Sequence, residues 1–157
     1  MRKIAIFVDV QNIYYTTRQA FDRQFDYRKL WQSVSAKGEI VAATAYAIDR
    51  GDDKQIKFQS ALKTIGFAVK LKPYIQRRDG SAKGDWDVGI AIDVLDTAKN
   101  IDTVVLLSGD GDFDLLLQKI RHDHAVRAEV YGVRSLTADS LIDAASEFHA
   151  IDEKLLL

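Results

Sequence analysis

Three short segments combine carboxylate side chains with glycine, serine or amide neighbours. They are Phe7-Val8-Asp9-Val10-Gln11-Asn12, Lys83-Gly84-Asp85-Trp86-Asp87-Val88 and Ser108-Gly109-Asp110-Gly111-Asp112-Phe113-Asp114. Carboxylate and amide oxygens are the hard ligands that Mg²⁺ and Mn²⁺ prefer. If the fold brings the segments together, their aspartates are candidate ligands of such an ion.

Asp9 is the aspartate that is hardest to explain as a surface residue. It ends the apolar run Ile4–Val8, which is predicted to be a buried strand, and an unpaired buried charge costs several kcal/mol. Further carboxylates beside it would repel one another and raise one another's pKa. The segments around Asp9 and Asp110 contain no lysine or arginine, so a divalent cation is the expected source of compensating charge.

Helix capping competes with metal binding as the role of the remaining aspartates. Asp87, Asp112 and Asp114 each lie near a predicted helix start, where aspartate is a favourable N-cap. Taken one at a time, capping is the simpler role for each, and only their joint occurrence with Asp9 favours a metal site. A calcium EF-hand loop starting at Asp110 is excluded, because its sixth and twelfth positions would be Leu115 and Arg121 rather than glycine and glutamate.

The periodicity of apolar residues indicates alternating strands and helices. Five apolar runs suit buried strands, namely Ile4–Val8, Val41–Ile48, Phe67–Leu71, Thr103–Leu107 and Val126–Tyr131. Helical spacing of apolar residues occurs within 58–65, 88–95, 113–120 and 138–145, and 12–36 is predicted to be helical in two pieces. In the stretch 88–95 the apolar stripe is predicted to be Val88, Ala91, Ile92 and Leu95.

This alternation predicts a doubly wound α/β fold, a three-layer α/β/α sandwich with a mostly parallel sheet of about five strands. Such sheets bind ligands beyond the carboxyl ends of their strands, where the strand order reverses. The first and fourth strands are followed directly by Asp9 and by Ser108-Gly109-Asp110. We therefore expect these two strand ends to lie side by side.

The bulk composition limits the classes of function. The chain of 157 residues is predicted to be one domain over 1–157, and it has no cysteine for a disulfide, zinc finger or thiol nucleophile. The apolar run at the N-terminus is too short for a signal peptide or a membrane span, so the cytoplasm is the expected location. With a net charge of −1, bulk positive charge cannot be what attracts a polyanion.

The three segments together resemble the NYN-domain family of the PIN-like nuclease superfamily, and within it the LabA-like branch. The matching residues are Phe7-Val8-Asp9 with Asn12, Lys83-Gly84 with Asp87-Val88, and Ser108-Gly109-Asp110 with Asp112-Phe113. The resemblance implies a ribonuclease that hydrolyses RNA phosphodiester bonds with Mg²⁺ or Mn²⁺. By it, the catalytic set is Asp9, Asn12, Asp87, Asp110 and Asp112, and the four aspartates hold the metal.

Two further features of the family pattern bear on single residues. The pattern carries an acid where Asp93 stands, although the predicted helix phase leaves Asp93 in solvent. The segment 145–148 looks like the family's closing helix and tail. Asp85 and Trp86 make the second segment longer than in many members, which leaves the role of Asp85 open.

Substrate binding is assigned to Arg77, Arg78, Lys83 and Ser108. The first three belong to a basic stretch before Asp87 that also contains Tyr74, and basic residues with an aromatic suit a single RNA strand. A solvated loop accounts for the same stretch equally well without a ligand. Arg18, Arg50 and Lys54 are further candidates for the mouth of the site, and the three histidines are predicted to be surface or tail residues.

Two other functions stay open from the sequence. A regulatory module that binds RNA or a protein would keep the same acidic pocket without cleaving. A phosphatase of the haloacid dehalogenase type would account for Gly109-Asp110-Gly111 with Asp114, but its acid/base position is occupied by Gln11. The partner expected is single-stranded RNA and not a membrane, and a second copy of the chain, forming a homodimer, is a further candidate partner.

Overall fold

The protein is described by a computed structural model covering residues 1–73, 75–76, 82–83 and 85–157. Strands and helices alternate along the chain in the order β1 (Lys3–Asp9), α1 (Val10–Phe21), α2 (Tyr27–Ser35), β2 (Glu39–Asp49), α3 (Asp53–Ile65), β3 (Ala68–Pro73), β4 (Ile75–Gln76), β5 (Ala82–Lys83), α4 (Asp87–Ala98), β6 (Thr103–Leu107), α5 (Asp114–His124), β7 (Arg127–Gly132), α6 (Asp139–Ala144) and β8 (Glu147–Ala150). Short 3₁₀ helices cover Gly111–Phe113, Arg134–Leu136 and Glu153–Leu155.

Six strands form one sheet in the order β3-β2-β1-β6-β7-β8. Every neighbouring pair in it is parallel. The order reverses between β1 and β6, which are hydrogen-bonded from Ile4 beside Thr103 to Val8 beside Leu107. The predicted α/β class and the predicted adjacency of the first and fourth long strands are therefore confirmed, and a ligand crevice is expected beyond Asp9 and Leu107.

Two apolar cores lie on the two faces of this sheet. Alternate residues of β1 divide between them, because successive side chains of a strand point to opposite faces. Ile6 packs with α2 residues such as Leu30 in one core, whereas Phe7 packs with Ile90 and Leu117 in the other. The two central strands are thus buried from both sides, which fixes the position of the residues that follow them.

The predicted apolar stripe of α4 is confirmed at Ala91 and Leu95, which pack against the core, and is wrong at Val88 and Ile92, which are 71% and 54% exposed. The centre of the packed face is instead Ile90, Val94 and Ala98. Apolar residues occur on both sides of the helix, so periodicity alone could not place the centre of the buried face. Its position has a consequence at Asp93, described below.

The main sheet has one strand more than the five predicted. The additional strand, β8, begins at Glu147 within the segment 145–148 expected to be a closing helix and tail, and it lies at the edge of the sheet beside β7. Its four residues are exposed or only partly buried. A strand in such an environment does not need an apolar run, so the sequence contains no signal for it. Separately, β4 and β5 pair as an antiparallel ribbon. Across the described residues, no helix combines the length and the apolar character needed to span a membrane.

Candidate active site

Three of the four predicted metal-binding aspartates converge at the crevice. Asp87, Asp110 and Asp112, here called the aspartate cluster, each offer a carboxylate oxygen, and these oxygens lie within 4.8 Å of one another. Asp87 is the first residue of α4. Asp110 and Asp112 belong to the turn that follows β6. Elements from different parts of the chain therefore place three carboxyl groups around one point.

Asp9 lies behind the aspartate cluster rather than in it. Only 8% of Asp9 is exposed, and its Oδ2 accepts a hydrogen bond of 3.0 Å from the Ser108 hydroxyl. That hydroxyl oxygen in turn accepts from the backbone N–H of Asp110 at 3.1 Å. Burial raises the pKa of Asp9 to about 6; the Ser108 and Asn12 hydrogen bonds oppose that rise, and the charges of Asp110 and Asp85 add to it.

Asn12 and Gly109 complete the connection between the ends of β1 and β6. The Gly109 N–H donates to Asn12 Oδ1 at 2.9 Å, and the Gly109 carbonyl accepts from the N–H of Ala138 at 3.0 Å. A Cβ at position 109 would lie 2.6 Å from the Leu136 carbonyl oxygen, so a larger residue does not fit there. Asn12 therefore positions the turn that carries Asp110, and its side-chain oxygen already has a backbone partner.

The aspartate cluster holds more negative charge than its surroundings compensate. The pKa of Asp87 is raised to about 7 by burial first, then by its hydrogen bond to Asp110 and by the charges of Asp110, Asp85 and Asp9. The ion pairs seen among the described residues join other carboxylates. Three hard oxygen donors with unbalanced charge are the donor set that a divalent cation fits.

Helix capping does not account for Asp87 or Asp112. The N-cap of α4 is Trp86 and that of α5 is Phe113, and neither side chain makes a capping hydrogen bond. Capping falls instead on Asp9, which accepts from the N–H of Asn12 at 3.5 Å, and on Asp110, which accepts from the N–H of Asp112 at 2.9 Å. Asp87 and Asp112 thus have no capping role in the described contacts.

Residues 3–152 match the sequence profile of the NYN domain. The chain belongs to the NYN domain family. It is 31% identical over 127 residues to the low amplitude and bright protein LabA of Synechococcus elongatus, an alignment that covers 76% of this chain and 68% of that protein. It is also similar to the crystal structure of a Vibrio parahaemolyticus protein of unknown function, with a TM-score of 0.94, 53% identity, and coverage of 99% of this chain and 96% of that one.

In this NYN domain Trp86 anchors the start of α4, a role that sequence reasoning missed. The indole N–H donates to the Ala47 carbonyl at 2.8 Å, and the ring lies 5.3 Å from that of Tyr46. A Cβ on Gly89 would be 2.6 Å from the indole, so glycine gives the ring its space. The Trp86-x-x-Gly89 spacing is the signal that could have indicated a side chain folded back on its own helix.

Asp93 is partnered and not simply solvated, so that prediction is wrong. Its Oδ2 accepts 2.7 Å hydrogen bonds from the Tyr46 hydroxyl and from Lys70 Nζ. Burial raises the pKa of Asp93, but the bonds from Lys70 and Tyr46 outweigh that effect, so the pKa is lowered overall. Asp93 thereby links α4 to β2 and β3 on the same side as Trp86.

The predicted substrate-binding residues have different outcomes. Ser108 is fully buried, so assigning it to substrate contact is wrong, and it positions Asp9 and Asp110 instead. Arg77 and Arg78 lie outside the described residues. Lys83 lies in β5, of which only the backbone is described. Asp85 is exposed at the crevice, where its carboxylate accepts from the Asp87 N–H at 3.3 Å.

A second group of acids lies on β7 and β8 of the NYN domain. Glu129, Glu147 and His149, here called the glutamate cluster, also offer ligand atoms within 4.8 Å of one another. Arg127 donates to both glutamates, and Lys37 Nζ lies 3.5 Å from Glu129. His149 Nε2 is 2.6 Å from Glu129 Oε1, and its ring stacks on Tyr131 at 4.4 Å.

This contact network corrects one prediction about the histidines. His149 belongs to β8 and its side chain is only 21% exposed, so it is not a tail residue. His122 and His124 are exposed, as predicted.

Proposed function

We propose that this NYN-domain protein is a metal-dependent ribonuclease that hydrolyses phosphodiester bonds of RNA. The observation that carries the proposal is the aspartate cluster, whose three carboxylates lie within 4.8 Å at the point where the strand order reverses. Membership of a family within the PIN-like nucleases supports it. The whole chain, 1–157, is proposed to act as one NYN domain.

Asp87, Asp110 and Asp112 are proposed to hold Mg²⁺ or Mn²⁺, with Asp9 as a further metal-binding residue behind them. When bound, the ion would polarise the scissile phosphate and lower the pKa of the attacking water. The chain's own contribution is placement. Ser108 and Asn12 hold the turn after β6, and Trp86 holds the start of α4, so the backbone segments that carry the carboxylates are held by buried or part-buried hydrogen bonds.

The test is cleavage of a 5′-labelled single-stranded RNA by the purified protein, with Mn²⁺, with Mg²⁺ and with EDTA. Cleavage is expected with the cations and not with EDTA. Asp110→Asn should lower the cleavage rate by more than about 100-fold, because even residues that only orient metal ligands cost about 10–100-fold.

Glu129→Gln is the matched control. It makes the same change from carboxylate to amide in the glutamate cluster, where cations already pair with the acids, and it should leave the cleavage rate unchanged. Absence of cation-dependent cleavage, or equal cleavage by Asp110→Asn, would contradict the proposal.

The alternative is a regulatory module that binds RNA or a protein through the acidic pocket without cleaving. The similarity to LabA favours this alternative, because the LabA-like branch is associated with regulatory roles. RNA binding with no cleavage under any cation would support it. A third outcome, release of inorganic phosphate from a small phosphomonoester, would support a phosphatase instead.

A further inference from the structure

Helix α1 begins at the candidate active site and presents two tyrosines to solvent. Its buried face is Val10, Ile13 and Thr17. Tyr14 and Tyr15 lie outside that face and remain 44% and 49% exposed. Single exposed apolar residues are normal on protein surfaces, but an adjacent aromatic pair leaves a continuous area of ring uncovered.

Two arginines support these rings. Arg18 donates to the Tyr14 hydroxyl at 2.7 Å, and its guanidinium carbon lies 5.8 Å from the Tyr14 ring centroid. Arg50, which follows β2, donates to the Tyr15 hydroxyl at 3.3 Å. The two rings meet edge to face, with centroids 5.4 Å apart. These four residues are here called the tyrosine patch. They are held in place by contacts within α1 and between α1 and the segment that follows β2.

The two rings of the tyrosine patch lie on the helix that starts directly after Asp9. Gln11 lies one helical turn before Tyr15 and between Asp9 and Asn12, in the first turn of α1. From Asp9 to Tyr15 the helical rise is about 9 Å. That length corresponds to about three stacked nucleotides at the spacing of one strand of a duplex.

We infer that the tyrosine patch is the binding platform for the RNA strand that reaches the aspartate cluster, with bases stacking on Tyr14 and Tyr15 and phosphates near Arg18 and Arg50. Exposed aromatic rings beside positive charge are the combination that binds single strands with little sequence preference. A guanidinium has five N–H donors, so the bond from Arg18 to a phenol leaves donors for a phosphate. The inference rests on the proposed function, since it takes a nucleic-acid strand as the ligand of the site.

The test is fluorescence anisotropy with a labelled single-stranded RNA of about twelve nucleotides, a length within the site sizes of single-strand binders. Asp110→Asn is the background, so that binding is measured apart from cleavage. Adding Tyr14→Ala and Tyr15→Ala should weaken binding by at least about tenfold, the scale of losing base stacking. Tyr14→Phe with Tyr15→Phe keeps the rings and should stay within about twofold.

Val41→Ala is the matched surface control. Val41 is also 44% exposed, but it lies near the start of β2, at the opposite edge of the sheet from the crevice. It should not change RNA binding. Circular dichroism and thermal unfolding of each variant confirm that its fold is intact.

Salt dependence tests the arginines. Arg18→Gln with Arg50→Gln should reduce the slope of log K against log salt by about 1.4, since each phosphate contact on a single strand contributes about 0.7. A duplex of the same length, whose bases are already stacked on each other, should bind at least about tenfold more weakly than the single strand.

Several results would overturn the inference. They are unchanged RNA binding by the double alanine variant, equal loss in the phenylalanine variant, and equal binding of the duplex. A dimer that the alanine variant disrupts, with RNA binding unaffected, would assign the patch to a second copy of the chain. If RNA binds through the patch but is not cleaved, only the proposed function is contradicted. If the wild-type chain cleaves RNA normally and the alanine variant binds RNA as well as its background does, only this inference is contradicted.

Discussion

In the aspartate cluster and the glutamate cluster three potential metal ligands lie equally close together. The pKa of a carboxyl group is raised in the first cluster and lowered in the second. Each brings three potential metal ligands within 4.8 Å. Burial raises the pKa of Glu129, but the bonds from His149 and Arg127 and the charge of Lys37 outweigh it, so the pKa is lowered. At Asp87 every effect acts upward, and the pKa rises to about 7.

The difference shows what separates a structural group of acids from a candidate binding site. In the glutamate cluster the fold itself supplies the cations, so the acids stabilise the folded chain. In the aspartate cluster the described contacts supply none, so ionisation of Asp87 works against the fold until positive charge arrives. Carboxylates lie close together in both clusters. The clusters differ in whether neighbouring positive charge compensates the negative charge of the carboxylates.

The largest expected effect is stabilisation by a divalent cation. An ion that binds only the folded state at one hundred times its Kd adds about 2.7 kcal/mol of stability. For a domain of this size that corresponds to a rise in Tm of about 5–10 °C. Thermal unfolding with Mn²⁺ and with EDTA measures it. Asp87→Asn should abolish the rise and Glu129→Gln should keep it. A rise that survives Asp87→Asn would place the ion elsewhere.

The next effect is a gain in stability from Asp9→Asn in EDTA. The folded pKa of Asp9, about 6, lies above its ordinary value of 3.8, so its contribution to stability is present below pH 3.8 and is lost as pH rises through 6. Asparagine avoids that loss and still caps α1. We expect a gain of about 2 kcal/mol at pH 8 and none at pH 3.5, measured by urea unfolding. A loss at pH 8 would show that the buried carboxylate is compensated.

Glu129→Gln should have the opposite sign. The folded pKa of Glu129 is lowered, so its contribution to stability is present above its ordinary value of 4.5 and is lost as pH falls through the folded value. Removing the charge leaves Arg127 with a weaker partner. We expect a loss of about 1–2 kcal/mol at pH 7 that shrinks below pH 4. If urea unfolding shows a gain at pH 7, the two clusters are electrostatically alike.

The smallest expected effect concerns Asp93, which lies outside both clusters. Asp93→Asn keeps a side-chain oxygen for Tyr46 and weakens a partly exposed ion pair with Lys70. Such pairs contribute about 0–1 kcal/mol, so the loss in stability should be within that range. The Tm rise with Mn²⁺ should be unchanged. If that rise disappears, Asp93 belongs to the metal site and the boundary of the aspartate cluster has to be redrawn.

The buried strands could be predicted from the apolar runs of the sequence. β1 and β6 are buried from both faces, so their runs are unambiguous, and their order along the chain placed Asp9 beside Asp110. Periodicity failed at α4, where two apolar faces compete, and at β8, a half-exposed edge strand. Those two failures account for the wrong environments predicted for Asp93 and His149.

The details of the candidate site depend on contacts between distant segments, which periodicity does not contain. The sequence could not show that Ser108 would be fully buried beneath Asp9, or that Trp86 would reach across to Ala47. Nor could it show that Asp9 and Asp110 would make the helix-capping hydrogen bonds, whereas Asp87 makes none and belongs to the aspartate cluster. The catalytic and metal-binding roles of these residues remain predictions.

The backbone between β7 and α6 packs closely on the turn that carries Asp110. A Cβ on Gly132 would be 2.5 Å from Thr137 Oγ1 and one on Gly109 would be 2.6 Å from the Leu136 carbonyl oxygen, and the Gly109 carbonyl accepts from the N–H of Ala138 at 3.0 Å. A side chain at either glycine would therefore have to push residues 136–138 away from the sheet. The position of Asp110 thus depends on a segment that contributes no carboxylate to the aspartate cluster.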